Sequence, residues 1–412
     1  MIETQSYCLW FLILIRKVMN MSAIFNGDTI PQRRGTNSVK WDTTQKKFGS
    51  SELLPMWVAD MDFPSPPCVV KALRESADFG VYGYYAPPAS YFHAFIDWEN
   101  RRHTVEVKEE WLRFTPGVVA GLNWCVQIFT NPGDACMILT PCYYPFINAI
   151  ADNDRRLITS DLIDQNGNYT INFRDLEEKI IQEDVKMLLL CAPHNPVGRV
   201  WTEMEMRRIA EICVRHRVYI ISDEIHQDIT FGMRHFSMLR LPICHDRLVV
   251  LTAASKTFNI AGCQNSFAVI PNKDLRNMFD VYVKRLHVIK GVFWGYIAAE
   301  AAFREGESWL FEVLSYIEEN YRFLKDSLTE SLPGIVISPL EGTYMCWIDL
   351  GAYVKPRDIQ RVVQDAARLA VDYGDWFWPG NRPDTHIRIN IATSRENVKT
   401  AADQLIKAIA CV

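Results

Sequence analysis

The sequence has no Cys-x-x-Cys pair, although it holds eleven cysteines. An odd number of scattered cysteines argues against a disulfide framework or a paired-thiolate zinc site, and suggests reduced thiols in a cytosolic protein. There is no run of three lysines or arginines, and the net charge is −5. That argues against nucleic acid or an anionic membrane as the main partner. Internal repeats and low-complexity tracts are missing too. The apolar run Tyr7–Ile15 falls well short of the ~20 residues a spanning helix needs. Its order is also wrong for a secretory signal, with Glu3 before the run and Arg16-Lys17 after it. Residues 1–20 are read as an upstream extension, because Met21 opens an ordinary soluble sequence.

What is present is ordinary in bulk: 412 residues, 49% apolar and 23% charged, enough for two domains. Residues 25–47 form a polar, extended arm. Leu53–Phe63 suits a short strand entering a turn, and helical periodicity covers Cys68–Ala77. Val81–Pro88 is a loop dense in tyrosine, for which packing is the simple explanation. Small residues at Pro116-Gly117-Val118-Val119 open a helix through Ile128, leaving backbone N–H groups able to hold a phosphate. Ala135–Leu139, Met187–Cys191, Val218–Ile221 and Leu248–Leu251 read as buried strands, with helices at Phe173–Ile181 and Glu203–Arg215. Such alternation means a mostly parallel sheet covered on both faces. A strand at Phe267–Ile270 and a helical region at 273–331 follow. After Pro333-Gly334, antiparallel strands at Ile335–Ser338 and Tyr344–Leu350, a helix at Arg357–Ala370 and a strand at Ile387–Ile391 suggest a smaller α+β domain.

Three polar residues sit at strand ends. Asn195 follows the strand ending at Cys191, Asp223 follows Ile221, and Lys256 follows Leu251. They are 28 and 33 residues apart, about one strand-helix unit each, so they can converge where open α/β sheets bind ligands. A lysine desolvated there has a lowered pKa and a free amine able to attack a carbonyl carbon. Arg388 lies within the last strand.

Four motifs carry a resemblance: Pro55–Phe63, Pro193-His194-Asn195-Pro196-Val197-Gly198-Arg199-Val200-Trp201, Asp223-Glu224-Ile225-His226, and Ser255-Lys256-Thr257-Phe258-Asn259-Ile260-Ala261-Gly262. Together they resemble the fold-type I pyridoxal-phosphate enzymes, the aspartate aminotransferase superfamily. Within it the chain is similar to the cystathionine β-lyase-like C–S lyases of the MalY/PatB type, from about residue 25 onward. The resemblance implies an α/β fold: a large pyridoxal-phosphate-binding domain (66–310) with a mostly parallel seven-stranded sheet between helices. An arm (21–65) would join a smaller α+β domain (311–412).

It also implies roles. Lys256 would bond the cofactor through its amine and, once displaced, act as the base. Asp223 would pair with the pyridine nitrogen, Asn195 with the phenolic oxygen, and Tyr143 would stack on the ring, with His226 beside the cofactor. The amides of Val118 and Val119, with Ser255, would hold the phosphate. Tyr84 would reach the phosphate of a neighbouring subunit, which implies a homodimer with shared active sites. Arg388 would grip the substrate α-carboxylate in a bidentate pair, with Ala59 and Tyr144 nearby. No metal is implied. His194 and His235 are read as loop supports, and Cys142 as a small pocket-wall residue.

Two departures from aminotransferases favour a lyase. They usually carry a tyrosine three residues after the aspartate, where His226 stands, and an arginine eight after the lysine, where Gln264 stands. The segment Asp375–Pro383 departs from the lyases, being bulkier than their glycine-rich stretch. The expected activity is β-elimination of cystathionine or cysteine S-conjugates to pyruvate, ammonia and a thiol. The rivals are an aminotransferase on the same fold, and a lyase-like protein acting mainly by binding a transcriptional regulator.

Overall fold

The computed structural model describes residues 25–380 and 382–411; the extension assigned to residues 1–20 lies outside them. Seven strands form the large sheet: β2 (Leu112–Thr115), β3 (Ala135–Thr140), β4 (Arg156–Asp161), β7 (Val185–Cys191), β8 (Tyr219–Asp223), β9 (Leu248–Thr252) and β10 (Ser266–Val269). Their order is β2-β10-β9-β8-β7-β3-β4. All neighbours run parallel except β10, which is antiparallel to both β2 and β9. The mostly parallel sheet read from the sequence is therefore present.

The central strands β3, β7, β8 and β9 are mostly apolar because both faces are covered, whereas the edge strand β4 carries Arg156, Thr159, Ser160 and Asp161. Alternate residues feed opposite layers: Leu188, Leu190, Ile220 and Val250 pack into one core, Leu189, Ile221, Val249 and Leu251 into the other. Helices Val118–Phe129, Tyr144–Ala151 and Lys273–Leu286 supply Leu122, Phe146 and Phe279 to the second layer. On the first face lie Ala89–His103, Glu203–Arg215 and Phe293–Glu305, through Trp98, Met206 and Ala298. Helix Glu203–Arg215 starts where the sequence says it should, at a capping box between Thr202 and Glu205.

The chain leaves β3 toward β4 on one side, while β7, β8 and β9 follow one another on the other. The winding direction thus reverses between β3 and β7, and such a switch point opens a crevice at the carboxyl ends of the strands.

A second sheet has the order β11 (Val336–Ile337), β12 (Met345–Asp349), β15 (His386–Asn390), β14 (Asp372–Tyr373), all antiparallel. Between them β1 (Leu54–Pro55) pairs parallel with β13 (Leu369–Ala370), which ties the N-terminal arm to this end of the chain. A short hairpin, β5 (Ile163–Gln165) with β6 (Asn168–Thr170), completes the strands.

The helix expected over Arg357–Ala370 needs correction. Helical turns end at Ala366, Arg368 takes a left-handed φ of 56°, and Leu369–Ala370 is a strand. Apolar residues there satisfied a helical period, but Leu54 N–H donates to Arg368 O at 2.9 Å, and long-range pairing overrides it.

Candidate active site

The carboxyl ends of β7, β8 and β9 stand level, with Cys191 opposite Asp223 and Asp223 opposite Leu251. This register brings Asn195, Asp223 and Lys256 to one cavity of about 200 Å³. Ala59, Gly117, Val118, Val119, Tyr143, His226 and Ser255 line it too. Gly121 allows helix Val118–Phe129 to reach the sheet end, because a Cβ there would lie 2.9 Å from the Leu251 side chain. No side chain caps that helix at Gly117, so its first N–H groups are left for an anion.

Lys256 sits on the short turn Ala254–Thr257, and its Nζ donates to Ala59 O at 2.6 Å. The Ala59 carbonyl is held in place from several sides. Asn259 binds Met61 N–H, Met61 O and Phe63 O, while Asn390 Nδ2 donates to Val58 O and Asp60 O. Burial lowers the Lys256 pKa, and Arg388 adds to that against the opposing pull of Asp60 and Asp223. The amine is thereby shifted toward the neutral form a nucleophile or base needs.

Thr257 anchors this turn by donating to Asp228 Oδ2 at 2.9 Å. Asp228 also accepts from Trp98 Nε1, Arg102 Nε and His103 Nε2 at 2.9–3.2 Å. Asp228→Ala would strand these buried donors, so urea denaturation should show a loss of about 3–5 kcal/mol; an unchanged midpoint would contradict the anchoring role.

Burial pushes the Asp223 carboxyl up to about 7, with Ile225 N–H and Lys256 opposing and Glu224 reinforcing the shift. An acid whose folded pKa exceeds its unfolded value binds more protons when folded, so stability falls as pH rises between the two. The cofactor-free protein should therefore lose more melting temperature from about pH 4 to about 7 than Asp223→Asn does. Parallel profiles would contradict it.

Burial, with Lys256 and Arg388 adding, lowers the His226 imidazole to about 3, so the ring is neutral. The Tyr143 and Tyr144 rings lie 5.0 Å apart, and both residues are half-buried. Arg388 is 2% exposed, and its Nη1 donates to Asn195 Oδ1 at 2.7 Å. Its guanidinium lies 4.9 Å from the Phe377 ring and 5.8 Å from that of Tyr143. Phe377, from the bulky segment noted in the sequence, thus forms a wall beside Arg388.

Tyr84 is not brought to this cavity; it is fully exposed. Cys142 is buried in the core behind the site, and the cysteine on the cavity wall is Cys191. His194 Nε2 contacts Pro141 O at 2.8 Å, and His235 Nε2 contacts Glu224 Oε2 at 2.9 Å, both as loop supports. Among the described residues no cluster of three His, Cys, Asp or Glu could hold a metal, and no helix is long and apolar enough to cross a membrane.

Several residues escaped the sequence reading. Tyr344 donates to the same Ala59 carbonyl at 2.9 Å and meets His226 edge-on at 5.9 Å. Asp372 is ion-paired with Arg388, and Lys47 stands 3.8 Å from Asp372 Oδ1. No local motif marks any of the three.

A lysine, an aspartate and an asparagine at adjacent strand ends thus share one cavity with an uncapped helix N-terminus in a doubly wound α/β protein. The chain belongs to the aminotransferase class I and II family, whose model matches residues 51–405. Cystathionine beta-lyase PatB of Bacillus subtilis (strain 168) is 36% identical over 373 residues, 90% of this chain and 96% of that protein. Cystalysin from Treponema denticola, whose crystal structure contains pyridoxal 5'-phosphate, matches with a TM-score of 0.90 at 33% identity, covering 94% of this chain and 100% of that one. The pyridoxal-phosphate-bound C–S lyase from Staphylococcus hominis matches with a TM-score of 0.88 at 33% identity, covering 94% and 99%.

Proposed function

We propose that the protein is a pyridoxal-phosphate-dependent C–S lyase acting on cystathionine, cysteine or a related cysteine S-conjugate. The observation that carries this reading is the meeting of Lys256, Asp223, Asn195 and the uncapped Val118 helix in one cavity. That set fits the cofactor. A buried carboxyl pushed up to about 7 suits a cationic ring nitrogen, and free amides at a helix start suit a phosphate.

Lys256 Nζ would bond the cofactor aldehyde carbon, Asp223 would face its ring nitrogen and Asn195 its phenolic oxygen. Tyr143 would lie against the ring, and the Val118 and Val119 amides with the Ser255 hydroxyl would hold the phosphate. When bound, the cofactor supplies an electron sink for the pair left at Cα. Arg388 orients the substrate through its α-carboxylate, and Lys256, released, takes the α-proton. The Cβ–S bonding pair leaves on sulfur as a thiolate, a good leaving group that needs little acid help. Water then replaces nitrogen at Cα, so each turnover releases one thiol, one pyruvate and one ammonia.

His226 and Gln264 both line the cavity, where an aminotransferase usually has tyrosine and arginine, and this favours elimination over transamination. The test is L-cystathionine supplied without a keto acid. Pyruvate and thiol over many turnovers support the lyase; turnover only when a keto acid is added would make the protein an aminotransferase.

The same reading gives a homodimer. Phe79, Val81, Tyr82 and Tyr84 are exposed alongside Ile289 and Val292, and Tyr82 packs on Phe293 and Trp294 at 5.9 and 5.8 Å. A second copy would cover this aromatic patch and receive Tyr84 near its phosphate site. A cytosolic setting accords with the ten described cysteines, all unpaired. The arm 21–65, large domain 66–310 and small domain 311–412 accord with the two sheets and the β1–β13 pairing.

A further inference from the structure

Arg388 cannot hold a substrate carboxylate in the arrangement the structure shows. A guanidinium offers two forks of parallel donors, Nε with Nη2 and Nη1 with Nη2, and both share Nη2. Here Nη2 donates to Asp372 Oδ2 and to Trp57 O at 3.4 Å, while Nη1 serves Asn195. Nε is buried with no partner. Nη2 carries two hydrogens and both are engaged, so a bidentate carboxylate displaces Asp372 or Trp57 O; of the two, Asp372 is the one with a second cation beside it.

Asp372 is fixed opposite Arg388 by the β14–β15 register, and it is fully buried. Released without a cation, it would become an isolated buried charge, which is strongly unfavourable. Its second oxygen, Oδ1, is buried and has no hydrogen-bond partner. The group nearest to serving it is Lys47, with Nζ at 3.8 Å. Lys47 is held over the rings of Trp57 and Trp376 at 4.1 and 4.3 Å, on a helix (Thr44–Phe48) ended by Gly49. Lys47, Asp372 and Arg388 together carry a net charge of +1, which one substrate carboxylate neutralises.

We propose that Lys47 is a positioning residue that takes over Asp372 when the substrate α-carboxylate claims Arg388. Nζ closes by about 1 Å onto Oδ1 to reach hydrogen-bond distance, Asp372 swings from the guanidinium to the ammonium, and the fork opens. The inference rests on the reading of Arg388 as the carboxylate site and deepens it.

The experiment is steady-state kinetics of the cofactor-loaded enzyme on L-cystathionine. Lys47→Gln should raise KM about tenfold with kcat nearly unchanged, and Lys47→Arg should restore it. Adding Asp372→Asn to Lys47→Gln should also bring KM back toward the wild-type value, because a neutral amide needs no cation on release. An unchanged KM in Lys47→Gln overturns the proposal. A defect that persists in the double variant does so as well, since Lys47 would then touch substrate itself. If the wild type turns over neither L-cystathionine nor L-cysteine nor another cysteine S-conjugate, the lyase reading fails separately. The same variants are then compared by calorimetric binding of 3-(methylsulfanyl)propanoate, a carboxylate without an amine. The same loss and recovery in Kd supports the exchange, and a flat series overturns it.

Discussion

Arg388→Ala should lower kcat/KM for L-cystathionine by about 10²–10³-fold, the usual scale for removing one partner of a buried charge pair at a binding site. The loss has two parts that different substrates separate. One is the missing grip on the α-carboxylate, which a methyl ester never enjoyed, so the ester should lose far less. The other is structural: Asp372, fully buried, loses its guanidinium partner and is left with only Lys47 nearby. Uncompensated buried charge costs about 3–5 kcal/mol, so the variant should also melt lower. Arg388→Lys separates the two parts. It keeps a positive charge for Asp372 but loses the planar fork, so it should recover stability well and kcat/KM poorly. Equal losses on acid and ester would mean that Arg388 acts only as part of the fold.

Lys256→Ala should lower kcat by at least about 10⁴-fold, because the same amine holds the cofactor and moves the α-proton. The fold should not suffer. Lys256 Nζ makes one hydrogen bond, to Ala59 O, and burial disfavours its charge. Removing a desolvated cation relieves the cost of burying its charge, and Tyr344 still serves the Ala59 carbonyl. The cofactor-free variant should therefore melt at or above the cofactor-free wild type. Residual turnover near the wild-type rate would sink the assignment, and a large drop in melting temperature would make Lys256 structural.

The parts of this site that were legible in the sequence are those written locally. Strands buried on both faces show as unbroken apolar runs such as Leu248–Leu251, and a polar residue just beyond such a run stands at the sheet's carboxyl edge. Asn195, Asp223 and Lys256 follow that pattern, and adjacent parallel strands bring them together. The uncapped helix at Val118 was readable for the same reason, from small residues with no capping side chain.

What was not legible depends on pairing between distant segments. Asp372 looks like any polar strand residue until the β14–β15 register sets it opposite Arg388. Lys47 lies 325 residues before Asp372, inside what reads as a polar arm, and only the folded chain puts them side by side. In the sequence Tyr344 reads simply as part of an alternating strand, yet its hydroxyl shares the Ala59 carbonyl with Lys256. The end of the helix near Ala366 failed for a related reason. Leu369 and Ala370 fit a helical period, but the arm's Leu54–Pro55 offers them a partner strand.

The most direct test of the account is where the cofactor is bonded. The purified protein, loaded with pyridoxal 5'-phosphate, is reduced with borohydride, digested and mapped by peptide mass. The account predicts one reduced cofactor per chain, on the peptide carrying Lys256. A label on another lysine, or none after loading, would contradict it.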